Sequence, residues 1–378
     1  MKLVLAVVVI NLASAFTVPT VAWPGSTVRV VDQTDALGGN ISGLAFAGPS
    51  SLWAVRDGPS MLSKLDRTPS GWAPTIESAG SRKLQYATGS GSPDAEAVTI
   101  TGDETVVYVG AERDSDEPSV SRNSILRFDT SSAGPLRAVR QWELNSVLPA
   151  TSANAGIEGL SWIPDDVFVA MGLRDATGKP YAPADYPGHG KGLFVVGLEA
   201  NGMLYMVALR DDGGVAVVAS MTSGLDAVME VVWSAARQEL WALCDNNCGG
   251  VAAVLRPADG AFVLSVIVEP PPGMAALNNE GFALGPNCTD GAMTAIWSDD
   301  GASDGHVLRE ATLGCAAIAT TATVPVTQPS TASRPIERGA NEGPPGEDRS
   351  LAEVGVVLAL VIAAASAFLL ARRTRVRR

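Results

Sequence analysis

The chain has 378 residues and a formal net charge of −13, and removing Lys2 and the five arginines of the C-terminal tail leaves −19 for everything between them. A chain this acidic repels nucleic acid and favours cations, so no nucleic-acid partner is expected. Only two histidines are present, which excludes a three-histidine zinc site.

The N-terminus predicts a secretory signal peptide within residues 1–22. Lys2 precedes an apolar run from Leu3 to Ile10, and the small residues Ala13-Ser14-Ala15 follow. These are the charged, apolar and cleavage regions of such a signal. Cleavage after Ala15 is the first choice and cleavage after Ala22 the second, and the mature protein is expected outside the cell.

One phrase recurs along the chain. It reads DAEAVTI at 94, GIEGLSW at 156, VMEVVWS at 228 and NNEGFAL at 278, with a weaker copy, NISGLAF, at 40. After a turn, each copy has a second run that ends on an aspartate, such as GAERD at 110, and then a third run. Short β-branched runs between turns, repeated about every 60 residues, predict an all-β propeller rather than a helical repeat.

Five blades are therefore predicted for residues 23–315. A sixth blade is left open, because 199–227 contains the additional strands GMLYMVALR and GVAVVASM. In the third copy, VFVAMGL is taken as the second strand. Residues 26–32 (STVRVVD) have no blade of their own and are expected to form the outer strand of the last blade, which removes a free edge.

The repeated acidic residues predict a site at one mouth of the channel, because an inner strand starts on the face where the second strand ends. Metal ligation is predicted for Glu96, Glu158, Glu230, Glu280, Asp114, Asp175, Asp245 and Asp299. Ser42 replaces the glutamate and Asp57 ends the second strand in the first copy. Substrate binding is predicted for Arg56, Arg113 and Arg174. A hard cation such as Ca²⁺ would offset the negative charge. Pairing with arginines or capping of strand ends is the alternative.

The four cysteines predict two disulfides, as is usual in exported domains. CDNNC places Cys244 and Cys248 at the two ends of one loop, which leaves Cys288 to pair with Cys315. Other pairings and free thiols are formally open.

The C-terminal residues predict a membrane anchor. Residues 316–350 are rich in Pro, Thr and Ser and are expected to form an extended stalk. Residues 351–371 are expected to form one transmembrane helix, with an uncharged run from Val354 to Ala371. The basic segment 372–378 should stay in the cytoplasm, which makes the protein a single-pass type I membrane protein with an extracellular propeller.

The phrases SGLAF…LWAVRD, DAEAVTI…VYVGAERD and NAGIEGLSW resemble the phytase-like β-propeller domain, over roughly residues 28–315. The resemblance implies a Ca²⁺-associated propeller acting on phosphomonoesters. The first functional hypothesis is a Ca²⁺-dependent phosphoester or ester hydrolase at the cell surface. The second is a non-catalytic propeller that binds a protein, a glycan or a small ligand there, and the few outer lysines, none at a repeated position, keep it open.

Overall fold

The computed structural model describes residues 18–75 and 81–318, and within them five β-sheets surround a central channel. Two short strands precede the blades, β1 (Thr20–Val21) and β2 (Arg29–Val30). Blade one contains β3 (Ile41–Gly48), β4 (Ser51–Arg56), β5 (Met61–Thr68), β6 (Gly71–Pro74) and β7 (Ser81–Gln85). Blade two contains β8 (Pro93–Ile100), β9 (Val106–Asp114), β10 (Ser121–Asp129) and β12 (Arg140–Glu143), while β11 (Leu136–Arg137) joins the edge of blade one.

The other three blades follow the same antiparallel order from the channel outward. Blade three contains β13 (Ile157–Pro164), β14 (Gly192–Leu198), β15 (Met203–Leu209) and β16 (Val215–Thr222). Blade four contains β17 (Glu230–Ser234), β18 (Glu239–Leu243), β19 (Ala252–Ala258) and β20 (Ala261–Val268). Blade five contains β21 (Asn279–Leu284), β22 (Ala292–Asp299) and β23 (Leu308–Gly314). Short 3-10 turns lie at Pro183–Asp185, Glu199–Asn201, Asn246–Cys248 and Ser303–Gly305.

The hydrophobic core is divided among the five interfaces between neighbouring blades. Strand alternation gives each sheet two apolar faces, and each face packs against the next blade. Large buried side chains at successive interfaces, starting between blades one and two, are Phe128, Phe194, Phe168, Trp241 and Trp72.

Glycine in the recurring phrase is explained by the close approach of inner strands. A Cβ atom on Gly43 would lie 2.6 Å from the carbonyl oxygen of Glu96, and one on Gly159 would lie 2.7 Å from the backbone nitrogen of Val231. Real Cβ contacts are longer, so a side chain there would push neighbouring blades apart. The repeated glycine is therefore a requirement of the channel wall.

The ring is closed by the N-terminal segment, as the sequence predicts. Strand β2 pairs antiparallel with β23, with Arg29 opposite Glu310 and Val30 opposite Arg309. Strand β1 pairs parallel with β20, which the sequence did not indicate. Residues 20–21 are thus part of blade four although they fall inside the predicted signal segment 1–22. Cleavage after Ala15 would keep this strand, whereas cleavage after Ala22 would remove it.

Two predicted elements are corrected. The sixth blade that the sequence left open is not formed by 199–227, because β15 and β16 are the outer strands of blade three. The predicted second strand of that blade is instead helix α1 (Asp165–Met171). Asp165 and Asp166 lie in its first turn, where their negative charges interact favourably with the helix dipole. Gly172 ends the helix in the left-handed conformation at φ 68°.

Both predicted disulfides are confirmed, Cys244–Cys248 and Cys288–Cys315, and the described residues include no free cysteine. The first closes the loop between β18 and β19. The second joins the segment after β21 to the end of β23, inside the blade that closes the ring.

The terminal predictions fall mostly outside the described residues. Residues 1–17 of the signal segment, the stalk beyond Ile318, the predicted transmembrane helix 351–371 and the tail 372–378 all lie there. In the part of the chain that the structure describes, no helix is long and apolar enough to cross a membrane. The folded unit extends slightly past Cys315, since Ile318 is buried against blades four and five.

Candidate functional site

The candidate site lies at the channel mouth where the inner strands begin. At one position near the start of the inner strand in blades one, two, three and five, that strand has one extra residue relative to the second strand. A β-bulge of this kind re-aims a side chain and is frequent beside functional sites. The bulged residues are those at the repeated glutamate position, Ser42, Glu96, Glu158 and Glu280.

Glu230 is different, although it aligns with the other glutamates in sequence. The inner strand of blade four has no bulge against the second strand, and Glu230 pairs regularly with Leu243. Its carboxylate is fully buried and accepts backbone N–H groups from three blades. The donors are Val231 at 2.9 Å, Leu160 at 3.4 Å and Leu44 at 3.5 Å.

The backbone N–H of Phe282 in blade five also stabilises the Glu230 carboxylate. Burial raises the pKa of Glu230 well above its usual value, and the four N–H groups oppose that rise. Glu230 was predicted as a metal ligand. The structure instead uses it as an axial acceptor that connects the inner strands of four blades.

The tightest carboxylate group at the mouth consists of Asp57, Asp94 and Glu96. One oxygen from each lies within 4.8 Å of the others. Asp94 and Glu96 are buried, and Asp57 is partly exposed and gives access from solvent. All the potential donors are carboxylate oxygens, the ligands that hard cations such as Ca²⁺ prefer.

Further carboxyl groups surround this group and raise one another's pKa values. Burial and the charges of Asp94 and Asp57 raise the pKa of Glu96 well above its usual range. Burial and the nearby Glu96 do the same to the pKa of Glu158. Burial raises the pKa of Glu112 to about 7, although the N–H of Gly156, which donates to its carboxylate at 2.9 Å, opposes the rise.

Glu280 lies at the more open side of the mouth. Burial and then the charge of Asp300 raise its pKa to about 8, while a hydrogen bond from Asn278 at 2.8 Å opposes the change. Burial also raises the pKa of Asp300. The positive groups around the cluster therefore do not fully offset its negative charge. A bound cation would lower the pKa values of these carboxyl groups and release protons from them.

Arg113 is the cation inside the cluster. It forms an ion pair with Asp94, lies 3.4 Å from Glu112 and contacts the side chain of Asn154. Arg56 is also on this face, but it donates to the carbonyl oxygen of Leu37. Arg174 and Asp175 are not at this mouth, which corrects the sequence prediction. Helix α1 places them on the opposite face, where the N–H of Arg174 binds the carbonyl oxygen of Gly260.

The predicted outer ring of aspartates consists of residues that cap turns. Asp114 accepts the N–H of Ser92 at 2.9 Å, and Asp245 accepts that of Asn247 at 3.0 Å. Asp299 accepts the N–H of Ser303 at 2.8 Å. Asp175 binds in the same way within its own loop. Their recurrence follows from the repeated strand-to-turn geometry, and their proposed metal role stays a prediction without geometric support.

Sequence reasoning missed Asp94, Glu112 and Asp300 as members of the cluster. Asp94 and Glu112 stand two residues before Glu96 and Asp114, so alternation of side chains along a strand was the available signal. Asp300 follows Asp299 directly, and Asn278 donates to both Asp300 and Glu280, whereas Asp299 caps the loop.

The fold and site define a five-bladed β-propeller with an acidic channel mouth. The family model described as "Phytase-like: Esterase-like activity of phytase" matches residues 36–302. The chain belongs to this phytase-like family, as its repeated phrases suggest. No curated protein matches the chain.

Solved structures of low identity are also similar to the chain. One is a functionally unknown protein from Desulfotomaculum acetoxidans, at 10% identity over 75% of this chain and 78% of that chain, with a TM-score of 0.37. Another is the PQQ-bound aldose sugar dehydrogenase from Streptomyces coelicolor, at 13% identity over 77% of this chain and 99% of that chain, with a TM-score of 0.38. At these TM-scores the likenesses support no inference about this chain.

Proposed function

We propose that the chain is a Ca²⁺-dependent hydrolase of phosphomonoesters or other esters that acts at the acidic channel mouth. The observation that carries this proposal is the group of Asp57, Asp94 and Glu96, which among the described residues forms an ion pair with Arg113 only. Buried carboxylates without compensation are costly unless a cation or protons neutralise them. The family description, esterase-like activity, supports the reaction class.

The three carboxylates would hold the cation, and bound Ca²⁺ would polarise a phosphoryl or carbonyl oxygen and activate water. Arg113 would keep Asp94 and Glu112 oriented through its ion pairs. Glu280 is partly exposed, and its pKa of about 8 is close to a working pH. It would therefore take a proton from the attacking water and return it to the leaving oxygen.

We also propose that the propeller acts outside the cell and is anchored through residues 351–371. Two disulfides fit an oxidising compartment. The apolar stretch at residues 3–10 and the uncharged run before the arginine tail support export and anchoring.

The second candidate function is a non-catalytic module that binds a small ligand, a glycan or a protein. It is favoured by the engagement of the two predicted substrate-binding arginines that lie on the mouth face. Arg113 is paired with carboxylates and Arg56 with a backbone carbonyl, so neither side chain is free to bind a substrate phosphate without rearrangement.

The test is a hydrolysis screen of the full-length chain in mild detergent, with p-nitrophenyl phosphate, inositol hexakisphosphate and p-nitrophenyl acetate, in Ca²⁺ or chelator. We expect turnover that requires Ca²⁺. Glu280→Gln should lower kcat by roughly 10²- to 10⁴-fold and keep the thermal stabilisation by Ca²⁺. The matched control is Asp259→Asn, an exposed turn residue on the opposite face. Absence of Ca²⁺-dependent turnover on all three substrates would contradict the hydrolase and favour the binding module.

A further inference from the structure

A pair of arginines lies between blades two and three, on the face opposite the acidic mouth. Arg127 on β10 and Arg140 on β12 are directly opposite each other in the antiparallel register. Such cross-strand partners project from the same face with Cβ atoms about 5 Å apart, and like charges at this position are destabilising. In a chain of net charge −13, two adjacent cations without a structural reason call for a compensating anion.

No carboxylate of the described residues forms an ion pair with either arginine. The exposed carboxylates of Asp103 and Asp129 are close enough to be affected by the charge of Arg127, but they do not contact it. The Nε atom of Arg127 is buried and has no hydrogen-bond partner among the described residues. Arg140 donates to the backbone carbonyl oxygen of Asp211, a neutral acceptor.

A cavity of 70 Å³ lies against both guanidinium groups. Tyr108, Trp142, His189 and Asp211 also line it. This volume holds a few water molecules, which suits a small inorganic anion. The His189 ring forms a fixed wall, because its Nε2 atom lies 3.1 Å from both Asp165 and the hydroxyl of Tyr181, and its Nδ1 contacts the carbonyl oxygen of Tyr186.

We propose that this cavity binds a tetrahedral oxyanion, phosphate or sulfate, between the guanidinium groups of Arg127 and Arg140. Guanidinium groups bind such oxyanions through paired, charge-assisted hydrogen bonds. The site is separate from the acidic mouth and does not depend on the proposed hydrolase activity.

The test is thermal unfolding of the full-length chain against increasing potassium phosphate, sulfate, chloride or acetate at constant ionic strength and pH. We expect a saturable rise in Tm with phosphate and sulfate and none with chloride or acetate. Arg127→Gln and Arg140→Gln should each raise the dissociation constant for phosphate at least about tenfold, because each removes charge-assisted hydrogen bonds. Lys83→Gln, which removes an exposed cation on blade one, should leave it unchanged.

A second variant separates binding from folding. Arg127→Glu would pair with Arg140, so without added anion its Tm should equal or exceed that of the wild type, and its response to phosphate should be lost. Equal rises in Tm for wild type, Arg127→Gln and Arg127→Glu would show a general salt effect and overturn the proposal. So would a Tm for Arg127→Glu below that of the wild type without anion, together with an unchanged response to phosphate.

Discussion

A substitution at Glu230 distinguishes two roles for its carboxylate, acceptance of backbone N–H groups from the inner strands and ligation of a metal. The substitution Glu230→Gln keeps the size of the side chain and replaces one carboxylate oxygen with an NH₂ group. One carboxylate oxygen accepts from Val231 and Leu160, and the other from Leu44. The amide oxygen can keep the first two bonds, but the NH₂ group then faces the N–H of Leu44 and leaves that buried donor without an acceptor.

The contact with Leu44 is long, at 3.5 Å, and an unsatisfied buried donor costs about 1–3 kcal/mol. We therefore expect a loss of about 2 kcal/mol in the free energy of unfolding. For a folded unit of about 300 residues this lowers Tm by about 3 °C. The loss should be equal in Ca²⁺ and in chelator, because the carboxylate is fully buried in the channel wall.

The assay is thermal unfolding of wild type and variant in both buffers, with Glu269→Gln as the matched control. Glu269 is exposed at the end of β20 in the same blade, and its substitution should leave Tm unchanged. A loss for Glu230→Gln that appears only in Ca²⁺ would identify Glu230 as a metal ligand. An unchanged Tm in both buffers would show that the carboxylate does not support the inner strands.

Three other predictions follow from the site and the termini. The pKa values of Glu112, about 7, and Glu280, about 8, exceed those of the same groups in the unfolded chain, so the folded state binds more protons between about pH 5 and 8. In chelator, Tm should therefore fall as pH rises from about 5 to 9. A flat or rising profile of Tm against pH would contradict these pKa shifts. Replacing both cysteines of Cys288–Cys315 with serine should lower the free energy of unfolding by about 3.5 kcal/mol, against about 2 kcal/mol for the shorter Cys244–Cys248 loop, as urea unfolding would measure; a reversed order would refute the loop argument. Protease added outside cells should cut within 316–350 and release the propeller, and protection would refute the predicted topology.

The blade pattern could be predicted from sequence because each blade repeats the same strand and turn chemistry. The closing strand β2 could be predicted because an unpaired strand at the start of a closed ring has one edge to fill. Helix α1 could not, since VFVAM is β-branched and apolar in either state. The acidic first turn and Gly172 were its only local signals, and they are weak against five copies of a strand pattern.

The site was predictable in its location but not in its membership. Glu96, Glu158 and Glu280 do lie at the mouth, because bulges in their strands turn them there. Glu230 shares their sequence position and lacks the bulge, a difference of register that no residue in the phrase VMEVVWS reveals. The capping aspartates recur because each blade repeats the same turn, and a metal ligand in each blade would recur in the same way. Repetition alone therefore could not separate a structural role from a functional one.

Calcium binding tests the central claim most directly. Isothermal titration calorimetry of Ca²⁺ into the full-length chain in detergent should show a saturable site in the wild type and in Asp259→Asn. Binding should be lost when Asp94→Asn and Glu96→Gln are combined, because two of the three adjacent carboxylates are then neutral. Proton release should accompany binding to the wild type, since the raised pKa values of the cluster fall when a cation enters. No binding to the wild type, or equal binding to the double variant, would contradict a cation site at the channel mouth.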